Sequence, residues 1–329
     1  MKPTYDIILW GFGNMNKIIL RMAQEKGHNV VGVIGHHNIG EDAGCVAGLK
    51  EAGIEISSEE DAVQVIKRNK PHACILATKS TIKEIIPCLK ILGQHGVNTI
   101  TIAEEATFSW NTSPELTKEV DEIFKANNCT FTGTGMEDIF WCYLPVSIVG
   151  ATHKVEKIEG FVQYNVDDYG TALCEAHGVG LSKQEFQEKI VKDALPAYVW
   201  NSNDWICSKL GWSIQKTTQQ LLPTVGNLDV LSKTFGKLIS KGLATGMTAV
   251  VTTVCENGVI IETKMTGQVY YGDMYDVCSW KIIGERTTEV VVKKPDTVGI
   301  CCACAVNRLK HVVQGQPGYI TSDKLGLIC

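Results

Sequence analysis

A chain of 329 residues, 44% hydrophobic and 20% charged, has ordinary globular composition and enough length for two separate cores. Its 31 basic and 36 acidic residues leave a formal charge of −5, without the basic stripe that a nucleic-acid surface needs. No apolar run reaches the length of a membrane span, and Met1-Lys2-Pro3 run almost directly into a strand, leaving no room for a secretory leader. Thirteen scattered cysteines, an odd number, read as reduced thiols, so the expectation is a cytoplasmic protein that binds neither nucleic acid nor membrane.

Asp6–Trp10 is a short, mostly apolar run followed by a glycine-rich turn, after which Ile18, Ile19, Leu20 and Met22 stand at helical spacing up to Gly27. Val30–Ile34, Ala73–Ala77, Val97–Ile102 and Cys129–Thr132 read as further buried strands, with helices expected around Asp61–Lys67, Ile82–Leu92 and Pro114–Ala126. Ser113 is the expected N-cap of the last helix, with Pro114 at its first position, where a missing N–H costs nothing. Continuous apolar strands separated by helices imply a parallel, doubly wound sheet covered on both faces. After Gly133-Thr134-Gly135 the texture changes. Ile158–Asn165, Ala249–Glu256, Gly258–Lys264, Gly267–Tyr271 and Glu289–Lys293 are strand-like, Glu256-Asn257-Gly258 reads as a hairpin turn, and residues 182–245 read as mostly helical. Asp296–Val313 returns to helical spacing, with Val298, Ile300, Cys301, Ala305 and Leu309 apolar.

Trp10-Gly11-Phe12-Gly13-Asn14-Met15-Asn16 lies between the first strand and the first helix, where a dinucleotide fingerprint belongs. Gly11 allows the tight turn, Gly13 lets backbone approach a pyrophosphate, and the helix opening at Asn14 offers unpaired N–H groups to the anion. Asn16 stands where the pattern has Gly or Ala, a departure that lowers the specificity of the motif. The fold expected is α/β: a Rossmann doubly wound parallel sheet over residues 1–135, completed by the C-terminal helix of 296–329, plus an α+β second domain, 136–295, with a mainly antiparallel sheet. At the end of the second strand, Gly35-His36-His37-Asn38 has no carboxylate before Glu41, which favours NADP over NAD, His36 and His37 being available to a 2′-phosphate. Two adjacent loop histidines without a Cys or Asp partner make no metal site, and no metal is expected. Thr78 and Ala103-Glu104-Glu105 fall at carboxyl ends of other strands, where ligands bind in open α/β sheets.

Glu104 and Glu105 are the paired carboxylates at such a strand end, and spacing alone leaves open which of them faces a ligand. A lone Glu beside a nicotinamide suits general acid–base work or stabilisation of a developing cation. Met136–Tyr143, with Phe140 and Trp141, is rich in aromatics, and Tyr164 and Tyr169 follow at the end of the next strand. Only four arginines are present, none between residues 69 and 285, so an uncharged carbonyl compound or its amine fits better than a keto acid or sugar phosphate. Asp167 and Asp168 are candidates for a second ammonium, or a solvated turn. Cys301 and Cys304 have CxxC spacing without a second pair and are read as packing residues.

The Gly40–Gly44 turn, the Ala103-Glu104-Glu105 strand end, the Gly133-Thr134-Gly135 junction and the ending Ala305-Val306-Asn307-Arg308 with Pro317-Gly318 resemble the dihydrodipicolinate reductase-like group, and within it the native amine dehydrogenases and 2,4-diaminopentanoate dehydrogenases. That resemblance implies reversible, NAD(P)H-dependent reductive amination of small aldehydes or ketones with free ammonia, in a homodimer built through the second domain's sheet. It implies Glu104 as catalytic residue, cofactor contacts from Gly11, Phe12, Gly13, Asn14, Met15, His36, His37, Thr78, Ala103 and Asn307, and a substrate pocket lined by Trp141, Tyr164 and Tyr169, with Phe140, Leu181 and Met136. A diamino acid dehydrogenase, an ammonia-independent ketone or imine reductase, and a non-catalytic dinucleotide sensor are the alternatives.

Overall fold

The computed structural model describes residues 3–328. The chain divides into two compact units, one running through Ile139 and resuming at Asp296, the other Phe140–Pro295. In the first, β1 (Asp6–Trp10), α1 (Asn14–Glu25), β2 (Asn29–Ile34), a short α2 (Ala43–Val46), β3 (Ile56–Ser57), α3 (Ala62–Asn69), β4 (Ala73–Leu76), α4 (Ile82–Gln94), β5 (Asn98–Thr101), α5 (Pro114–Ala126) and β6 (Thr130–Gly133) alternate along the chain. The returning segment adds α10 (Thr297–Val313) and β15 (Gly318–Tyr319). All seven strands are parallel, in the order β15-β6-β5-β4-β1-β2-β3, which is the Rossmann order extended by one edge strand. β1 and β4 are buried on both faces, which is why they read as apolar runs; β5 is equally buried but carries Thr99 and Thr101, whose hydroxyls donate to the Val97 and Leu76 carbonyls.

Two apolar layers cover the sheet. On one face Ile8, Trp10, Cys74 and Leu76 pack with α3, α4 and α5 through Val65, Ile85, Leu89 and Phe124. On the other, Ile7, Leu9 and Ile75 pack with Ile19 and Leu20 of α1 and with Cys302, Ala305, Val306 and Leu309 of α10. Of the CxxC pair, Cys304 is buried and Cys301 half-buried, accepting from the Met136 N–H, while Cys302 packs in this layer; the twelve described cysteines are all free thiols. No helix among the described residues is long and apolar enough to cross a membrane.

The second unit contains α6 (Leu144–Val149), β7 (Lys157–Asn165), α7 (Thr171–Ala176), α8 (Lys183–Phe186), α9 (Tyr198–Leu210), β8 (Ile214–Val225), β9 (Val230–Ser232), β10 (Lys237–Ile239), β11 (Ala244–Cys255), β12 (Ile260–Gln268), β13 (Val277–Ile283) and β14 (Thr288–Lys293). Six of these strands form a sheet ordered β14-β13-β7-β12-β11-β8, antiparallel except for the β7–β12 pair. The mainly antiparallel sheet and the hairpin at Gly258, whose N–H donates to Cys255 O, match expectation. The helical reading of 182–245 holds only as far as α9. Beyond it lie β8 and the β9–β10 hairpin; β8 is an edge strand whose half-buried face carries Thr217 and Gln219 before Leu221, so it shows no apolar period. The separate runs Gly258–Lys264 and Gly267–Tyr271 belong to one strand, β12, which ends at Gln268.

Candidate active site

The turn after β1 is built for an anion. Gly11 has φ +89°, and a Cβ there would lie 2.4 Å from the carbonyl oxygen of Ala77 and 2.6 Å from Thr78 Cγ2, so only glycine lets the turn press against the end of β4. Above Gly13 the space is open, with nothing within 4 Å of an added Cβ. No side chain caps α1 at Gly13, so the first-turn N–H groups of Asn14 and Met15 face outward uncapped. Thr78 carries a buried hydroxyl without a hydrogen-bond partner among the described residues. An open glycine cradle, an uncapped helix end and an orphaned hydroxyl fit a dinucleotide pyrophosphate. Asn16, the departure from the motif, is built into this turn. It is fully buried, and its Nδ2 donates to the carbonyls of Trp10 (3.0 Å), Gly11 (3.1 Å) and, more weakly, Ile75 (3.4 Å), tying α1 to the ends of two strands.

At the end of β2, His36 and His37 are exposed. His36 Nε2 lies 3.1 Å from Glu59 Oε1, which also accepts from Trp10 Nε1 at 3.1 Å. A carboxylate therefore does stand at this strand end; it comes from the turn after β3, outside the stretch that sequence spacing inspects. Asn307 is not near the fingerprint turn. It accepts a hydrogen bond from Lys26, just past the far end of α1.

The two glutamates after β5 diverge. Glu105 is 8% exposed and wholly occupied: it accepts from the Ile82 N–H (2.7 Å), Thr112 Oγ1 (2.8 Å) and Ser113 Oγ (2.6 Å), neutralising the start of α4. Ser113 thus serves Glu105 and does not cap α5 with its side chain. Glu104 points elsewhere. Burial pushes its carboxyl up, opposed by a hydrogen bond with the Ser80 side chain.

A residue that sequence spacing passed over accompanies it. β6 lies next to β5, Thr101 opposite Gly133, and the Thr134 N–H donates to Thr101 O at 2.9 Å. The chain leaving β6 enters a π-helical turn, Glu137–Tyr143. Glu137 is 7% exposed, and its carboxyl is pushed up to about 8 by burial first and then by the charges of Glu104 and Asp138. Met136 is buried, with its N–H on Cys301 Sγ at 3.2 Å. Asp138, by contrast, is matched: Arg308 donates to its Oδ2 from Nε (3.1 Å) and Nη2 (2.6 Å), and Thr134 Oγ1 donates at 2.8 Å, all three side chains being buried. The other arginines, Arg21, Arg68 and Arg286, are exposed.

In the second unit, Tyr164 is 8% exposed and its hydroxyl lies 2.7 Å from His177 Nε2, with Nδ1 of the same ring 2.8 Å from the Leu173 carbonyl. That carbonyl can only accept, so Nδ1 donates to it; Nε2 then accepts from Tyr164, and burial holds the imidazole neutral by lowering its pKa. Tyr169 stands edge-on to Tyr164, ring centroids 5.7 Å apart, and is half exposed. Trp141 is buried with its indole N–H unpartnered among the described residues, while the Phe140 carbonyl accepts from Trp280 Nε1 at 2.7 Å. Leu181 packs with Phe186, Ala244 and Met247. Asp167 is neither an ammonium site nor a solvated turn: it accepts from Ser232 Oγ and the Lys233 N–H, both at 2.8 Å, anchoring the β9–β10 hairpin. Asp168 takes Asn165 Nδ2. Among the described residues no cluster of His, Cys, Asp and Glu could hold a metal ion.

Residues 142–328 match the family model for the 2,4-diaminopentanoate dehydrogenase C-terminal domain. The chain is 26% identical over 233 residues to the 2,4-diaminopentanoate dehydrogenase of Acetoanaerobium sticklandii, covering 68% of this chain and 65% of that relative. It is similar to the structure of an amine dehydrogenase from Mycobacterium smegmatis, at 30% identity and a TM-score of 0.92, covering 99% of this chain and 97% of that one. At 12% identity, a scyllo-inositol dehydrogenase from Lactobacillus casei, solved with NAD(H) and scyllo-inositol, shares the fold with a TM-score of 0.65 over 98% of this chain and 93% of its own. On these matches, the chain belongs to the 2,4-diaminopentanoate dehydrogenase and amine dehydrogenase family.

Proposed function

We propose that the protein is a nicotinamide-dependent amine dehydrogenase that interconverts small aldehydes or ketones, with ammonia, and primary amines. One observation carries this reading: Glu104, at the carboxyl end of β5, is an acid whose burial opposes its charge and which has no ion-pair partner among the described residues. A carboxylate so placed gains most from a cationic nitrogen and least from a neutral ketone. Gly11, Phe12, Gly13, Asn14 and Met15 hold the dinucleotide's pyrophosphate, with Thr78 and Ala103 beside it and His36 and His37 toward the adenosine ribose. Bound there, the nicotinamide supplies the two-electron acceptor or donor. Glu104 takes a proton from the incoming ammonium, returns it to the hydroxyl of the carbinolamine so that oxygen leaves as water, and, a carboxylate again, balances the positive charge of the iminium nitrogen. Trp141, Tyr164 and Tyr169, with Phe140, Leu181 and Met136, are assigned to the substrate's carbon skeleton.

NADP and NAD are both cofactors we propose: His37 is available to a 2′-phosphate, while Glu59, which holds His36, opposes one. The free thiols agree with a reducing compartment, which we take to be the cytoplasm. The sheet of the second unit alternates buried residues with half-exposed ones such as Phe161, a pattern that suits a homodimer formed through its open face; light scattering of the purified protein tests it. Oxidation of a diamino acid is the second reading, favoured by the family match over residues 142–328.

The test is cofactor consumption, followed by absorbance, with short aldehydes and cyclic ketones, with and without ammonium, and 2,4-diaminopentanoate in the oxidative direction. Turnover without ammonium would show a plain carbonyl reductase, and cofactor binding without turnover a sensor. Glu104→Gln keeps the shape and loses the charge, and we expect amination to fall at least ~100-fold with cofactor affinity unchanged. Near-normal amination by that variant would sink the assignment.

A further inference from the structure

Glu137 is not used in the mechanism above, yet its surroundings are those of a working acid. The strands that deliver it and Glu104 are neighbours in the sheet, paired at Thr101 and Gly133. Its carboxylate folds back over Gly135, where an added Cβ would come within 2.3 Å of Oε2 and 3.6 Å of Cys301 Sγ. Among the described residues no cation pairs with Glu137, although Asp138 beside it takes the buried guanidinium of Arg308. The titratable groups acting on the two glutamates are Asp138, Cys301, Cys304 and Glu84, all acids, and Arg308 is already committed to Asp138. Burial of Glu137 and the charge of the half-buried Glu104 both favour a protonated Glu137 until a cation arrives.

We propose that Glu137 is the second carboxylate of the amine site, set beside Glu104 so that the two accept the two N–H bonds of a primary iminium and thereby select ammonia as the nitrogen donor. The inference rests on the amine dehydrogenase reading. A primary iminium carries one positive charge and two N–H donors in one plane. Glu104 satisfies one donor and Glu137 the other, and the proton held by the pair leaves as the cation binds. An iminium made from methylamine has a single N–H. Its methyl group would stand against Glu137 and leave a buried carboxylate unmatched, which is costly. Glu137 therefore discriminates by what it would be left without, as hydrogen-bonding sites reject analogues that lack the donor.

The experiment compares ammonium and methylamine as nitrogen donors, with one aldehyde, in the wild type, Glu104→Gln, Glu137→Gln and Gly135→Ala. Thermal unfolding and cofactor binding confirm that each variant is folded. In Glu137→Gln the KM for ammonium should rise at least about tenfold, the worth of one charge-assisted hydrogen bond, with a smaller fall in kcat. The preference for ammonium over methylamine should narrow by a similar factor. Gly135→Ala keeps the carboxylate but pushes it off its seat, and should move both quantities in the same direction. In the protein without ligands, a proton shared by the pair makes the wild type lose thermal stability from about pH 5 to about pH 8, and Glu137→Gln should flatten that decline. An unchanged donor preference in Glu137→Gln, with the wild type aminating normally and Glu104→Gln inactive, overturns this inference and leaves the amine dehydrogenase reading intact. A wild type that does not aminate overturns both.

Discussion

Adjacent acids in this protein have opposite fates, and the reason is where their partners come from. Glu105 is absorbed by the start of α4 and by Thr112 and Ser113, while Glu104 is left without a cation. Asp138 is absorbed by Arg308, while Glu137 is not. Spacing revealed the first pair as strand-end acids, because Ala103-Glu104-Glu105 follows an apolar strand. It could not say which would face a ligand, since that depends on hydrogen bonds from segments before and after it. Glu137 went unremarked because its lack of a partner becomes visible only once Arg308 is seen to serve its neighbour. Glu59 was hidden for the same reason, being delivered to the end of β2 by the turn after β3. It would repel a 2′-phosphate and occupies His36, so Glu59→Gln should shift the kcat/KM ratio of NADPH to NADH upward by about tenfold, one charge interaction near a protein surface. Steady-state kinetics with both cofactors decides it, and an unchanged ratio would remove His36 and Glu59 from cofactor choice.

Among the elements, the β1–α1 connection shows how a departure from a motif can be compensated. Asn16 takes a position normally given to a small residue, and it earns that place through three backbone carbonyls at the ends of β1 and β4. Asn16→Ala would remove the second donor from the Trp10 and Gly11 carbonyls, which keep the N–H groups of Ala77 and Gly13, and the expected cost is about 1 kcal/mol in urea unfolding. The same variant should weaken cofactor binding, because Gly11 and Thr78 sit where that network holds the turn. The strands of the first unit were legible because burial on both faces leaves runs of apolar residues with nothing between them. β8 was not: on this edge strand Thr218 and Gln220 are exposed while Thr217 and Gln219 take polar places on the half-buried face, so no apolar stripe appears.

At the scale of the molecule, the buried acids set a pH dependence of stability that differs from ordinary acid denaturation. Glu137 in the folded chain keeps its proton at pH values where the unfolded chain has lost it, so folding loses free energy as pH rises from about 4.5 to about 8. Asp42 and Glu159 act in the opposite sense. Backbone N–H groups led by Ala52 hold Asp42 below the carboxylate range, and Lys157 lowers Glu159, so their contributions begin to fall away as pH drops below about 4 and are lost only below the depressed folded values. Melting temperature measured against pH should therefore peak on the mildly acidic side, and a peak above pH 8 would contradict the buried pair. The sequence foretold the order of the large parts, since apolar periods mark strands and helices directly. It was silent about Glu59 and Glu137, whose settings are made by residues distant along the chain.

The last part of the chain has a consequence for synthesis. β15 and α10 belong to the unit begun at β1, with Tyr319 stacked on Phe131 and its hydroxyl donating to the Ala106 carbonyl at 2.8 Å. During translation the nucleotide-binding half must wait, with the faces destined for α10 and β15 bare, while the whole intervening unit is made. A product that stops short of α10 leaves Ile19, Leu20 and Ile75 without that cover, and its oily surface invites proteolysis or aggregation.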